Sequence, residues 1–394
     1  MHVFLALLLY FGILTLWVPE YWPISVFQVG IFALAGIALW RARSFSVGPA
    51  YPLAPLTFAA IWGLFQSLTG RTVYAFNTQM ATVQWATYLA VFLSAFYLLE
   101  TSSLRRWFRS AMVWFAFLVA VVATLQNFTS GGKVFWLFPS GYTDFVMGPI
   151  VSRNHYAAFI EAVLPMALNQ AIRGEGDSLL YSGMASAMYA SVIASASRAG
   201  TVLATLEILA VFACMRIRGR ASSRDIGRAF LTLAAIVAVL VVVVGYEAIW
   251  NRFLAPDPMS GRREFAVSTV HMIADHPWSG VGLGNWPVIY PRYATVDLGA
   301  FVNAAHNDWL QWTAEGGFPL GIAMLSLFIW CIRPAFASVW GLGVIAVFLH
   351  ALVDYPFSRP ALGSWTMVII ALLALRSGEA RPSSVRLDRS RVMK

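Results

Sequence analysis

The sequence predicts an all-α polytopic membrane protein: about twelve transmembrane helices, with one long outside loop between the ninth and the tenth. Three observations lead there. Hydrophobic residues make up 59% of the 394 and charged residues only 11%, whereas soluble domains run at roughly 45–50% and about 25%. The mean hydropathy is +0.69, which excludes a soluble globular domain, a disordered chain and a coiled coil. The apolar residues also come in long runs, not in the short alternating segments of a membrane barrel. At about 20 residues per span, twelve spans take roughly 240 residues. What remains accommodates one sizeable extramembrane element and no separate soluble domain.

In chain order, runs with few or no charges mark helices at 3–18, 24–40, 52–68, 82–99, 110–127, 156–172, 179–196, 199–215, 229–246, 317–332, 334–352 and 361–375. The first has no basic segment before it and ends in WVPEYWP, so it reads as a span and not as a cleaved leader. Only Ser197 and Arg198 separate the seventh from the eighth, which predicts a tight hairpin. The ninth, with AAIVAVLVVVV, is unmistakable. If the N-terminus is cytoplasmic, 18 of the 27 lysines and arginines fall inside and nine outside, as the positive-inside rule requires. Both termini are then cytoplasmic.

One outside segment is long, 250–316, and a shorter one at 128–155 carries the aromatic string FWLFP, suited to the membrane interface. The chain therefore divides into N-terminal helices (1–127), a core with the long loop (128–375) and a basic cytoplasmic tail (376–394) expected to touch anionic lipid. The net charge of +9 reads as topology and lipid contact, not nucleic-acid binding. Cys214 and Cys331 lie in apolar runs and suggest neither a disulfide nor a thiolate metal site. No internal repeat supports an inverted-repeat transporter.

Polar residues gather in the outside segments. After Ser260 the spacing predicts an amphipathic helix, with Ser260 as N-cap, Glu264 in the first turn and Ala266, Val270 and Ile273 on one face. Arg262 and Arg263 then sit at a helix N-terminus, where free N–H groups already favour an anion. Two guanidinium groups there fit a diphosphate clamp; lipid headgroup contact is the alternative. Arg198 is flanked by apolar spans and Glu161 and Glu207 lie within them, where charges are costly and functional by default; a structural Arg198–Glu161 pair is the other possibility. Arg153, His155 and Asn307 are possible supporting residues. The string NAAHNDWLQ predicts a helix start with Asn303 as cap and His306 in the first turn. There the helix dipole keeps an imidazole neutral and fit to act as a base. His306 protonated and bound to phosphate is the competing role. His2, His271, His276 and His350 read as structural. GVGLGNW is not a dinucleotide fingerprint, since it follows a helix, and its glycines are expected to shape a turn. No HExxH, CxxC pair or Walker motif occurs, so neither a metal nor a cofactor is expected.

Five strings, SRNHYAAFIE, SASRAG, SGRREFAVSTVHMIADHPWSGVGLGNW, AHNDWLQWTAEGG and ALVDYPFSRPA, stand in this order between about 150 and 361. Together they resemble the O-antigen ligase/polymerase superfamily, bacterial inner-membrane glycosyltransferases of the GT-C type. The resemblance implies a twelve-helix bundle with a periplasmic active site. It also implies a glycan donor on undecaprenyl diphosphate, a lipid A-core or other glycan acceptor, and transfer without metal or nucleotide. Family roles would fall to Arg198 and one of Arg262 or Arg263 for the diphosphate, and to His306 for the acceptor. Ala199 departs from the glycine expected there. A surface-polysaccharide polymerase of the same superfamily, a protein O-oligosaccharyltransferase and a solute transporter are the alternatives. Transport would call for polar residues along a path through the membrane.

Overall fold

The computed structural model describes residues 1–42, 51–173, 177–219, 221–254, 261–296, 299 and 301–379. Ser260 and the tail beyond 379 lie outside them. Among the described residues the chain forms fifteen α-helices: α1 His2–Leu14, α2 Trp22–Arg41, α3 Leu53–Leu68, α4 Ala75–Leu98, α5 Ser102–Thr129, α6 Arg153–Arg173, α7 Ser178–Ala194, α8 Arg198–Ile217, α9 Ser223–Val244, α10 Glu247–Phe253, α11 Arg262–Asp275, α12 Trp286–Tyr293, α13 Asp308–Ala337, α14 Leu342–His350 and α15 Pro360–Glu379. A two-residue antiparallel pair, Lys133–Val134 with Phe138–Pro139, folds the FWLFP string into a small hairpin.

Seven of these helices (α2, α4, α5, α8, α9, α13 and α15) are long and apolar enough to cross a membrane. Five helix starts, those of α5, α7, α8, α9 and α13, follow capping chemistry: Thr101, Asp177, Ser197, Ser222 and Asn307 each accept a hydrogen bond from a backbone N–H of the first turn. The outward residues are large and apolar, Leu231, Val239 and Val242 on α9 among them, as lipid contact requires. α6 is different. Every residue from His155 to Ile172 is buried, polar ones included, so α6 is the central rod against which α5, α7, α8 and α14 pack. α15 is nearly as enclosed and packs on α4 and α1.

Two expected spans look different in the structure. The tenth begins nine residues early: α13 runs from Asp308 through a break at Gly317 (φ 70°, ψ −178°). A side chain at 317 would meet the Trp278 carbonyl at 2.4 Å, so the break is where the long loop presses on the helix. The eleventh is short. A 3₁₀ turn and then α14 follow Ser338, and α14 has nine residues, roughly 14 Å at 1.5 Å per residue.

The described residues between 261 and 306 pack around a small core of Phe265, Met272, Trp286, Tyr290, Ala305 and Ala314. α11 accordingly buries Phe265, Ser268, Thr269 and Met272, not the predicted face; Val270 is exposed, because α11 turns toward α12 and α13. Its N-cap is Gly261 (φ 75°), one residue past the expected Ser260. The glycines of GVGLGNW do shape a turn. Gly280, Gly282 and Gly284 all have positive φ, and a Cβ at 280 would strike the Glu315 carbonyl at 2.2 Å. Gln66 of α3 pins this turn, donating to Ser279 O (2.6 Å) and Glu315 O (2.8 Å) and accepting from Leu283 N–H (3.1 Å).

Candidate active site

His306 does not lie in a helix. It precedes the cap of α13, with φ +51°, a left-handed conformation that histidine enters more readily than most residues. The cap is Asn307, whose side chain accepts from Leu310 N–H at 3.0 Å, and Asn303 is an exposed loop residue. The first-turn placement is therefore corrected, and the dipole argument for a neutral imidazole goes with it. A carboxylate takes over that orienting task. Asp354, in the turn after α14, places Oδ1 3.2 Å from His306 Nδ1. Phe265 lies flat against the imidazole (ring centres 5.7 Å, 21°) and Tyr355 meets it edge-on at 4.8 Å. With Nδ1–H assigned to the carboxylate, Nε2 carries the lone pair. Half-exposed beside a buried acid, this is the arrangement of an oriented general base.

Asp354 is itself held from several sides. Its N–H donates to His350 O (3.0 Å), and its carbonyl accepts from Asp308 N–H (3.2 Å), tying the end of α14 to the start of α13. Its Oδ2 lies 3.7 Å from Nε2 of the buried His155. Burial works to raise this carboxyl, but His155, the His306 hydrogen bond, His350 and Arg262 outweigh it and hold it well below the usual carboxylate range.

Arginines surround this centre. α6 begins at Arg153, α8 at Arg198 and α11 at Arg262, so three helix N-termini each open on a guanidinium. The hydroxyl of Ser197 joins two of them, accepting from Gly200 N–H and donating to Asn154 Oδ1 (2.9 Å). Arg252, at the end of α10, is the fourth, and its carbonyl accepts from Arg198 Nη1 at 3.1 Å. Burial and then the charges of Arg252, Arg262 and Arg198 push Arg153 down to about 10. Burial, Arg198 and Arg262 lower Arg252 in the same way. Arg252 Nε is buried with no hydrogen-bond partner among the described residues. Mutually repelling cations at converging helix N-termini form a site that an anion relieves. Arg262 and Arg263 part here: Arg262 is half-buried and acts on Arg153, Arg252 and Asp354, while Arg263 is exposed.

Glu161 bonds His350, with Nδ1 at 2.9 Å from Oε1, and both side chains are fully buried. Glu207 is buried, and neither carboxylate oxygen has a hydrogen-bond partner among the described residues. No group of three or more His, Cys, Asp or Glu side chains among the described residues is placed to hold a metal ion. Sequence reasoning passed over three residues. Arg252 served only as a topology charge, and Asp354 and Tyr355 lay unassigned within ALVDYPFSRPA. An acid directly following an apolar span was the available signal.

No curated protein matches the chain. The O-antigen ligase family model matches residues 183–325, a stretch that holds Arg198, Arg252, Arg262 and His306 and stops short of Asp354. With the membrane-length helices this supports a multi-pass bacterial membrane protein with an O-antigen ligase or polymerase type of function. The match is to the family that the five strings resemble, and it supports the O-antigen ligase superfamily over the stretch that holds three of them.

Proposed function

We propose that the protein is a metal-independent glycosyltransferase of the inner membrane that moves a glycan from undecaprenyl diphosphate to an acceptor hydroxyl on the periplasmic face, as an O-antigen ligase does. One observation carries the reading: four arginines, three of them at helix N-termini, share a site with a histidine oriented by a buried carboxylate. The acceptor oxygen attacks the anomeric carbon, and its proton passes to His306 Nε2. The bond from that carbon to the diphosphate oxygen breaks, and its electron pair stays on the diphosphate. Diphosphate is a good leaving group, so stabilising its charge is the larger demand. Arg153, Arg198, Arg252 and Arg262 meet it. A single displacement of this kind inverts the anomeric configuration.

The acceptor is proposed to be lipid A-core; a polymerase would use the same donor head group and a lipid-linked glycan acceptor. A deletion strain separates the two. Loss of lipid A-linked polymer with long lipid-linked chains retained is the expected result. Short chains would assign a polymerase, and unchanged surface glycan with no accumulated precursor would overturn both.

A further inference from the structure

The pair Glu161–His350 is outside the reaction just described, and nothing about lipid exposure explains it. Both side chains have zero exposure, and the imidazole Nδ1 is 2.9 and 3.0 Å from the two carboxylate oxygens. A buried pair of this kind often contributes less stability than well-packed apolar side chains would, and its best-attested use is to fix register. The two helices that it joins both hold groups that bear on Asp354. α6 carries His155 six residues before Glu161, and α14 ends at His350, whose carbonyl receives the N–H of Asp354 at 3.0 Å. The contact is close along its length: a Cβ at Gly343 would lie 2.5 Å from the carbonyls of Glu161 and Ala162. A slip of α14 by one turn, about 5.4 Å, would carry Asp354 away from both His155 and His306.

We infer that Glu161 and His350 are positioning residues: their bond sets the register of α14 on α6 and thereby holds Asp354 against His306. The inference rests on the proposed role of His306 as base. The charged groups acting on Asp354 come from every neighbouring element: Arg153 and His155 on α6, His350 on α14, His306 and Asp308 at the start of α13, and Arg262 on α11. Glu161 itself faces His350, Asp354 and, from α8, Glu207. Glu207 stays in place in every variant below.

The test compares Glu161→Ala with Glu161→Gln in full-length protein, assayed for turnover and for donor affinity with a lipid-linked donor, with His306→Ala alongside. Glutamine keeps an acceptor for the His350 ring N–H; alanine does not. When Asp354 loosens, the base loses the carboxylate that orients it. Turnover in Glu161→Ala should therefore fall at least tenfold with donor affinity unchanged, and Glu161→Gln should keep most of the turnover. A fall in donor affinity that matches the fall in turnover would make the pair merely structural and overturn the inference. Equal loss of turnover in both variants would also overturn it, since charge and not register would then be at work. Thermal unfolding in detergent checks that each variant is folded; if Glu161→Ala is not, His350→Gln, which keeps a donor to Glu161, serves as the second retained-bond variant against His350→Ala. Full turnover in His306→Ala would instead sink the functional reading, a result distinct from either failure above.

Discussion

At the scale of single residues, the site assigns different losses to different side chains. His306→Ala should lower turnover by roughly 10²- to 10⁴-fold while donor binding stays near normal, because a base acts only as the proton leaves. Arginine at 306 should not restore turnover; if it did, the residue would be a phosphate ligand and not a base. The arginines should behave oppositely. Arg252→Ala and Arg262→Ala should each weaken donor binding by about 10- to 150-fold, the value of a charge-assisted contact on the order of 1.5–3 kcal/mol. Arg263→Ala, an exposed side chain, should change it little. Equal effects at 262 and 263 in a donor titration would show that the division read from their burial is wrong. These roles were only partly legible in the sequence. His306, Arg198 and the arginine pair announce themselves as polar residues beside apolar runs. The partner of His306 is 48 residues away and that of His350 is 189 away, and no local spacing connects such pairs.

At the scale of elements, apolar runs mark every long helix, because lipid leaves the chain no other way to satisfy its backbone. Ends and faces are less legible. The cap of α13 fell to Asn307 because the N–H of Asp308 is taken by the carbonyls of Ala351 and Asp354. The buried face of α11 follows from α12 and α13, which sequence periodicity cannot see. Glu264 shows how α11 is fastened. Its carboxylate accepts from both the backbone N–H and the hydroxyl of Thr295, and these bonds with that from Ser268 hold it below the usual glutamate range, against a small opposing effect of burial. A depressed carboxyl contributes stability above its unfolded value, and that contribution disappears as pH falls through the folded one. Protection of the Thr295 amide from exchange, taken relative to the intrinsic rate at each pH, should therefore fall as the medium is acidified below about pH 4, near the ordinary range for glutamate. In Glu264→Ala it should already be low at neutral pH. Protection at Thr295 that ignores both pH and the substitution would detach Glu264 from this role.

At the scale of the whole molecule, every residue of the proposed chemistry sits at one end of the bundle. α6, α8, α13 and α15 start there, and α7, α9 and α14 finish there. α1 finishes there too: Gly12 packs against Ala361 at the start of α15, with the Trp365 indole N–H donating to Leu9 O nearby. The N-terminus and the far end of α15 consequently emerge at the opposite end, together with the α8–α9 connection and its arginines. That arrangement meets the charge count independently. Among the described residues, eleven basic residues belong to segments at the opposite end and nine to the site end, where four of the nine form the arginine cluster proposed to bind the diphosphate. The prediction is that reporter fusions after Gly219 and at the C-terminus read as cytoplasmic and one at Thr295 reads as periplasmic. A cytoplasmic reading at Thr295 would place the arginines and His306 on the side where nucleotide-activated sugars are available. The use of a lipid-linked donor on the outer leaflet would then have to be abandoned, even with the fold and the site geometry intact.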